Sequence, residues 1–351
     1  MQLKRTYPAF CVESTALLRC RAARLPLLHP LMTRRFPASL VSLAMIVPAL
    51  VSPVHAEEMQ QGFTDVPKGH PIYEAAQYLK EQGIMKGYDD GTMQPGKTLS
   101  RSEFVTLMVR ILVSEDDLKE FTTSPFSDIS EGAWYLPYVE YARLKGLIDG
   151  PPEKTSFNGA NTVLKVELLK ILQLAYGADP VATFGEIRLP LAGDVTNPDE
   201  WYYPYMRYAI SSSMTMISTQ GTLNPAQQLT RGDATLLIYR FLMYQDGRRT
   251  QALLSEAESE IMVILGTLEE NNIEQAEYAS ARALLAARGA HLKRPDESIV
   301  QGAVKVTEAF RALVRAYRMG VTQNYQEVVR LSGEAWNLAD RAKQLSPDLG
   351  A

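Results

Sequence analysis

Cysteine and histidine are scarce in this sequence. Its two cysteines, Cys11 and Cys20, lie close to the start, and only two of its four histidines, His70 and His291, follow residue 56. If residues 1–56 are removed, no disulfide or thiol chemistry is available. Neither remaining histidine lies in a recognisable catalytic or zinc motif, and no phosphate loop or nucleophile elbow is present. We therefore predict no metal, no cofactor and no enzymatic activity; a cleft with two close carboxylates would favour an enzyme instead.

A hydrophobic run long enough to span a membrane is also missing. The apolar stretch at 36–51 is too short for that purpose. It follows two arginines and precedes Ala56, in the order typical of a secretory signal peptide. This signal begins at Met32, so we interpret 1–31 as an upstream mis-start and 32–56 as the signal peptide. The alternative is a genuine amphipathic leader. We expect an exported protein with no transmembrane segment in the mature chain.

The sequence has no excess of positive charge. Residues 1–56 hold seven of the 36 Lys and Arg residues and one of the 40 Asp and Glu residues, so their removal takes the net charge from −4 to near −10. A chain of this charge has no diffuse attraction to a polyanion, which argues against nucleic acid as a partner. Binding an anionic polymer would require a few cations aimed at it.

Internal repetition is what the sequence has in abundance. One pattern of a short opening motif, a tyrosine-rich helix, a loop and a second helix occurs three times. The openings are Phe63-Thr64-Asp65-Val66, Phe126-Ser127-Asp128-Ile129 and Asp194-Val195. The second helices begin at Ser100-Arg101-Ser102-Glu103, Leu164-Lys165-Val166-Glu167 and Thr230-Arg231-Gly232-Asp233. One such unit cannot bury a core alone, so the three are expected to pack together.

These motifs resemble the S-layer homology (SLH) repeat. The first copy is similar to the family's loop pattern throughout 83–95, although Pro71 stands where the family usually has Trp. The second copy keeps that tryptophan as Trp134 but has a changed closing motif. The third keeps Trp201, with a degenerate loop at 212–215. The resemblance extends over about residues 62–245.

The resemblance implies an all-α fold of three helix-loop-helix repeats in a pseudo-threefold arrangement, at 57–124, 125–178 and 179–246. It also implies a non-catalytic anchor on the cell surface or cell wall of a bacterium. The implied partner is an anionic, often pyruvylated, cell-wall polysaccharide or peptidoglycan-linked polymer.

The arginine that opens the family's second helix is among its ligand-binding residues. By position this role passes to Arg101 and Arg231, and to Lys165 in a repeat that has drifted. Two residue pairs here are spaced as capping boxes, Ser100 with Glu103 and Thr230 with Asp233. Capping does not explain the arginines, because a first-turn cation faces the positive end of the helix dipole. We interpret them as exposed cations that form an anion site with free backbone N–H groups. The alternative is an ion pair to a neighbouring repeat.

The aromatic residues of the first helices belong either to the core or to the rim of a sugar-binding groove. We expect Tyr141 and Tyr208 in the core, and Trp134 and Trp201 at groove rims. The opening aspartates are expected to cap or brace the first helix of each repeat, with a ligand role as second choice: Asp65, Asp128 and Asp194.

After Gln245 the composition shifts to Ala, Glu, Leu and Arg. Apolar residues recur at helical spacing, including the series Tyr325, Val329, Trp336 and Ala339. The pattern predicts four helices packed as an antiparallel bundle, at 250–271, 273–288, 296–319 and 322–345. We expect the bundle to fold apart from the repeats. It is either a spacer or a module for self-association or a protein partner; in the latter case the protein would be an envelope scaffold.

Overall fold

The structure is a computed structural model that describes residues 62–347. The predicted upstream segment and signal peptide lie outside the described residues. Within 62–347 the chain forms ten α-helices and one short 3-10 helix, and its only β-type pairings are isolated bridges. The predicted all-α fold class is confirmed. None of these helices is both long enough and apolar enough to cross a membrane.

The first six helices form three consecutive pairs. In chain order they are α1 (Tyr73–Glu81) and α2 (Arg101–Leu112), α3 (Leu136–Leu144) and α4 (Lys165–Ala175), and α5 (Tyr203–Ser211) and α6 (Arg231–Gln245). Packing is between pairs rather than within them: α2 packs on α3, α4 on α5, and α6 on α1. The 3-10 helix Glu115–Leu118 follows α2. Each first helix ends in a turn through the left-handed region, at Gly83 (φ 70°), Gly146 (φ 67°) and Ser213 (φ 54°). This turn marks the same point in all three pairs.

The opening aspartates brace the loops between the paired helices. The Asp65 carboxylate accepts hydrogen bonds from the backbone N–H groups of Met93 (2.8 Å) and Gln94 (2.7 Å). Asp128 does the same for Phe157 and Asn158, and Asp194 for Leu223 and Asn224. The second residue of each pair has positive φ, so the carboxylate holds an uncommon backbone conformation in place. The expected cap on the first helix is wrong, because the hydrogen bonds of all three aspartates go to these loops and none goes to α1, α3 or α5.

The segments that precede α2, α4 and α6 are joined in a closed ring of hydrogen bonds. Leu99 N–H donates to Leu229 O (2.8 Å), Leu229 N–H to Val163 O (3.0 Å), and Val163 N–H to Leu99 O (3.3 Å). All three side chains are buried in one hydrophobic core shared by the pairs. The ring places the starts of the three second helices side by side.

Four long helices complete the described chain: α7 (Thr250–Glu269), α8 (Ile273–Lys293), α9 (Ser298–Val321) and α10 (Tyr325–Leu345). The four predicted helices are present, with α8 extending further than expected. Each packs mainly against the next in sequence.

The expected bundle arrangement is wrong for α10. This helix packs against α9, and only Leu331 and Ala342 within it are buried. Tyr325, Val329 and Trp336 are 68%, 74% and 79% exposed. They lie about 120–160° around the helix from Leu331, because each residue turns the helix by about 100°. The amphipathic series in the sequence therefore marks an outer face.

The helix α8 also packs against α5 of the third pair. Leu284 and Leu285 belong to the hydrophobic core of the repeats, and Arg282 Nη1 donates to Leu191 O at 2.6 Å. The predicted domain boundary falls in the turn between α6 and α7. Independent folding of 250–346 stays a prediction, and the burial of these α8 side chains against the repeats argues against it.

Candidate ligand-binding grooves

The starts of α2 and α6 are capped as their spacing predicts. Ser100 Oγ accepts from Glu103 N–H (3.3 Å), and the Glu103 carboxylate accepts from Ser100 N–H (2.9 Å). Thr230 and Asp233 repeat both contacts at 3.1 and 3.0 Å. In α4 only half of the box exists: Glu167 accepts from Leu164 N–H at 2.9 Å, and the Leu164 side chain carries no acceptor.

The backbone N–H groups at these helix starts are not free. Arg101 N–H donates to Asn161 O (2.8 Å) and Ser102 N–H to Gly159 O (3.0 Å), both in the neighbouring unit. Equivalent bonds join α4 to Gln227 and Pro225, and α6 to Lys97 and Pro95. The expected anion site built from free N–H groups is therefore wrong, because a neighbouring loop already occupies those donors. Any anion must be bound by side chains.

Arg231 is a buried brace between the third and first units. Only 6% of the Arg231 surface is exposed. Nε donates to Met93 O at 2.8 Å, Nη2 donates to Lys86 O at 3.2 Å, and Nη1 lies 3.4 Å from Glu103 Oε1. The expectation of an exposed cation is wrong here. An ion pair to a neighbouring repeat, the alternative left open by the sequence, is what the structure contains.

Lys165 is buried in the same way, whereas Arg101 is not. Lys165 Nζ donates to Leu223 O at 2.7 Å, and burial lowers the pKa of its ammonium group to about 8. Arg101 is partly exposed, and its guanidinium lies over the Phe157 ring, 5.3 Å from the centroid. Its side chain donates no hydrogen bond to any residue that the structure describes. Of the three helix-start cations, Arg101 is the one available to a ligand.

The larger of two equivalent grooves, the Trp201 groove, has a volume of about 300 Å³. Its lining includes the loop 146–149, Lys154, Lys170 of α4, Trp201 and Arg101. Lys170 Nζ lies 5.9 Å from the centroid of the Trp201 ring, and the Trp201 residue is 56% exposed. Lys154 is paired with Asp149 at 2.8 Å. Neither Lys170 nor Arg101 forms a direct ion pair with a described carboxylate, although the charges of both help to lower the pKa of Asp149 in the same groove. The groove thus combines two cations that have no direct ion pair with an exposed indole.

The second groove, the Trp134 groove, has a volume of about 210 Å³ and is lined by Lys86, Arg110, Trp134 and the buried Arg231, among others. Its cations are already engaged. Lys86 and Arg110 lie 2.7 and 3.1 Å from the Glu115 carboxylate. The hydrogen bond from Lys86, with further help from Tyr138 and Arg110, lowers the pKa of Glu115 to about 2. This carboxylate stays ionised at any ordinary pH and competes with a ligand for both cations.

The two tryptophans lie where the sequence places them, at the groove rims. Tyr208 is buried as expected, and Tyr141 is half-buried against the core. Sequence reasoning missed Lys170 and Arg110. Both lie on second helices, on the side that faces the next unit's tryptophan, but helical periodicity alone does not show which face meets another unit.

Among the described residues, no group of His, Cys, Asp and Glu side chains is arranged to hold a metal ion. The two carboxylates that line the Trp201 groove are engaged: Asp149 pairs with Lys154, and Glu167 accepts from Leu164 N–H.

Comparison with known proteins matches the S-layer homology domain to residues 62–105 and 125–165. These ranges cover α1 and α3 with the loops that follow them, and they end at the starts of α2 and α4. The third pair shares their hydrogen bonds, and its membership of the family stays a prediction.

Several curated proteins are similar to this chain. It is 37% identical over 136 residues to the S-layer protein sap of Bacillus anthracis, covering 39% of this chain and 16% of that protein. It is 30% identical over 121 residues to a cellulosome-anchoring protein of Acetivibrio thermocellus, 34% of this chain and 27% of that protein. An amylopullulanase of Thermoanaerobacterium thermosulfurigenes is 25% identical over 187 residues, 53% of this chain and 10% of that enzyme. The chain thus spans only a small part of each relative's length. The domain and the S-layer relatives indicate a location at the bacterial cell surface or in the cell wall.

Proposed function

From the S-layer homology repeats that this chain carries, at 62–105 and 125–165, we propose that it anchors itself non-covalently to the cell envelope. The proposed ligand is an anionic cell-wall polysaccharide, bound mainly in the Trp201 groove. The observation that supports this is the convergence of Arg101, Lys170 and Trp201 on one groove, with neither cation in a direct ion pair with a described carboxylate. The name of the cellulosome-anchoring relative agrees with an anchoring role. The proposal includes no catalytic step.

The chemistry of the Trp201 groove suits a sugar that bears a carboxylate, such as a pyruvate ketal. The planar guanidinium of Arg101 can donate two parallel hydrogen bonds to a carboxylate, which an ammonium group cannot do. Lys170 supplies a second charge, and an exposed indole offers an apolar face for a sugar ring. Because the mature chain is expected to be strongly negative, attraction must come from these aimed cations rather than from overall charge.

The Trp134 groove is proposed as the weaker site. Its Lys86 and Arg110 are held by Glu115, so a polymer carboxylate must displace that contact before it can bind. Arg231 lies beneath this groove as a brace and contributes positive potential rather than a free donor. Lys165 is proposed to contribute positive potential in the same way, although no open groove lies beside it.

Co-sedimentation with purified sacculi of the source bacterium tests the anchor. Removing a charge-assisted hydrogen bond costs about 1.5–3 kcal/mol, so Arg101→Ala and Lys170→Ala are each expected to weaken binding by roughly ten-fold to a hundred-fold. Arg101→Lys is expected to retain only part of the wild-type affinity for sacculi. Lys119→Ala is the matched control, because that lysine is 77% exposed and lines neither groove.

Sacculi stripped of their non-peptidoglycan polymer provide the second control. The anchor is refuted if the wild-type protein binds stripped and intact sacculi equally, or neither. If the wild type binds only intact sacculi but both Trp201-groove variants bind as well as Lys119→Ala, the function stands and the assigned groove is wrong.

The exposed face of α10 favours a second candidate function, an envelope scaffold that binds a protein partner. Tyr325, Val329 and Trp336 form an apolar series on that face. The partner that we propose is a second copy of this chain, which would cover the side of α10 that α9 leaves exposed. Sedimentation equilibrium is expected to show concentration-dependent dimers that Trp336→Glu abolishes. A strictly monomeric wild type would refute this candidate.

A further inference from the structure

The three helical pairs should create a third groove, equivalent to the other two. The turn residue Ser213 corresponds to Gly83 and Gly146, so the loop 213–217 of the third pair corresponds to the loops that line the open grooves. Arg240 in α6 lies nine residues after the helix start, as Arg110 does in α2. Lys165 is the helix-start cation of this third groove, as Arg231 is of the Trp134 groove and Arg101 is of the Trp201 groove.

The third groove is filled by α7. The first helix that packs on α6 is α1, just as α3 packs on α2 and α5 on α4, and Pro71 precedes α1 where Trp134 and Trp201 precede α3 and α5. The helix α7 begins after a short turn that follows α6 and lies against the loop 213–217. Arg249 Nε donates to Ser213 Oγ at 3.2 Å, and Ser213 Oγ in turn donates to the Glu256 carboxylate. A cavity of about 70 Å³ lies between the loop, α7 and α8.

A carboxylate is the group that α7 brings into this groove. Glu256 Oε1 lies 3.4 Å from Arg249 Nη2, and its side chain is only 14% exposed. Arg240, on the opposite wall, donates to Met214 O at 3.5 Å. Burial raises the pKa of Glu256, while the Ser213 hydrogen bond and the charges of Arg249 and Arg240 favour its ionised form.

We propose that Glu256 occupies the third groove as an internal carboxylate, in the place that a polymer carboxylate would take. The chain then has two open grooves, and the third serves to fasten α7 to the repeats. This inference rests on the proposed function only for the identity of the group that Glu256 replaces; the contact itself is independent of any ligand.

The first test needs no ligand. In hydrogen–deuterium exchange of the full chain, Glu256→Ala is expected to speed exchange at 213–217 by about ten-fold or more, because the loop loses its cover. The equivalent loops, 83–88 and 146–150, should exchange at the wild-type rate. Glu258→Ala on the same helix is the control, since Glu258 is exposed and lines no groove. Unchanged exchange at 213–217 in Glu256→Ala would overturn the proposal.

The second test compares matched arginines in the sacculus assay. Arg110→Ala should weaken binding measurably once the Trp201 groove is disabled by Lys170→Ala, whereas Arg240→Ala in the same background should change it less than two-fold. Equal losses for the two variants, with thermal melts alike, would mean that the third groove is open to ligand. If the wild type binds no sacculi, the proposed function fails, and the exchange experiment still decides whether Glu256 fills the groove.

Discussion

Arg231→Ala is expected to destabilise the protein strongly, although Arg231 occupies the same motif position as Arg101. The Arg231 guanidinium donates hydrogen bonds to the carbonyl oxygens of Met93 and Lys86, and the arginine is only 6% exposed. The substitution leaves both carbonyl oxygens without this donor. An acceptor left without a partner costs about 1–3 kcal/mol. Glu103 keeps its contacts with Ser100 and with Lys97, at 3.4 Å, so the lost ion pair adds less. We expect a total loss of about 3–5 kcal/mol.

Thermal unfolding followed by circular dichroism measures this loss. For a chain of this size, about 4 kcal/mol lowers the Tm by roughly 10 °C. Arg101→Ala should change the Tm little, since it removes only a partly exposed cation–π contact of about 0.5–1 kcal/mol.

Arg231→Lys is the informative control, because α4 already uses a lysine in this position. Lys165 Nζ makes one carbonyl bond where Arg231 makes two, so the lysine variant should recover about half of the lost stability. If Arg231→Ala melts within about 1 °C of the wild type, the brace is not a stabilising contact and the reasoning fails. If Arg101→Ala is as damaging as Arg231→Ala, the distinction between the two arginines is wrong.

Two further predictions concern the buried lysine and the contact between α5 and α8. The pKa of Lys165 in the folded state, about 8, lies below its ordinary value of 10.5, so folding penalises the charged form. The penalty is complete below pH 8 and disappears as the pH rises through 10.5. In urea unfolding, the free energy of unfolding of the wild type, relative to that of Lys165→Met, should therefore rise by about 3 kcal/mol between pH 7 and 10.5. A stability difference independent of pH would contradict this. Gly289→Ala should destabilise the protein by more than about 3 kcal/mol, because the added Cβ would lie 1.6 Å from Ser211 O. Gly266→Ala is the control: its Cβ would have no atom within 4 Å, so in thermal melts it should stabilise the protein by up to about 1 kcal/mol. Similar melting temperatures for the two variants would show that α8 does not pack tightly on α5.

The parts of the fold that sequence predicts are those set by local chemistry. Hydroxyl and carboxylate at a spacing of three residues form the capping boxes at Ser100 and Thr230 because both partners lie in one helical turn. The repeat pattern itself gives the three helical pairs, and helical periodicity gives α7 to α10.

The parts that sequence misses depend on contacts between distant segments. Arg101 and Arg231 occupy the same motif position, yet one is partly exposed and the other buried, because different loops lie beside them. Asp65 is 28 residues from Met93, so its role in the loop is invisible to a helix-capping rule. In α10, periodicity identifies an apolar face correctly but cannot say whether that face meets the core or solvent.

Both open grooves are made from all three helical pairs, which constrains how the anchor works. The Trp201 groove takes Arg101 from the first pair, the loop 146–149 and Lys170 from the second, and Trp201 from the third. The Trp134 groove uses the pairs in rotated order, with Arg231 supplied by the third. Because the ring of hydrogen bonds at Leu99, Val163 and Leu229 holds these pieces together, no single repeat contains a complete binding site. Drift in one repeat therefore weakens more than its own groove, and the degenerate third repeat remains necessary because it supplies Trp201 to one groove and Arg231 to the other.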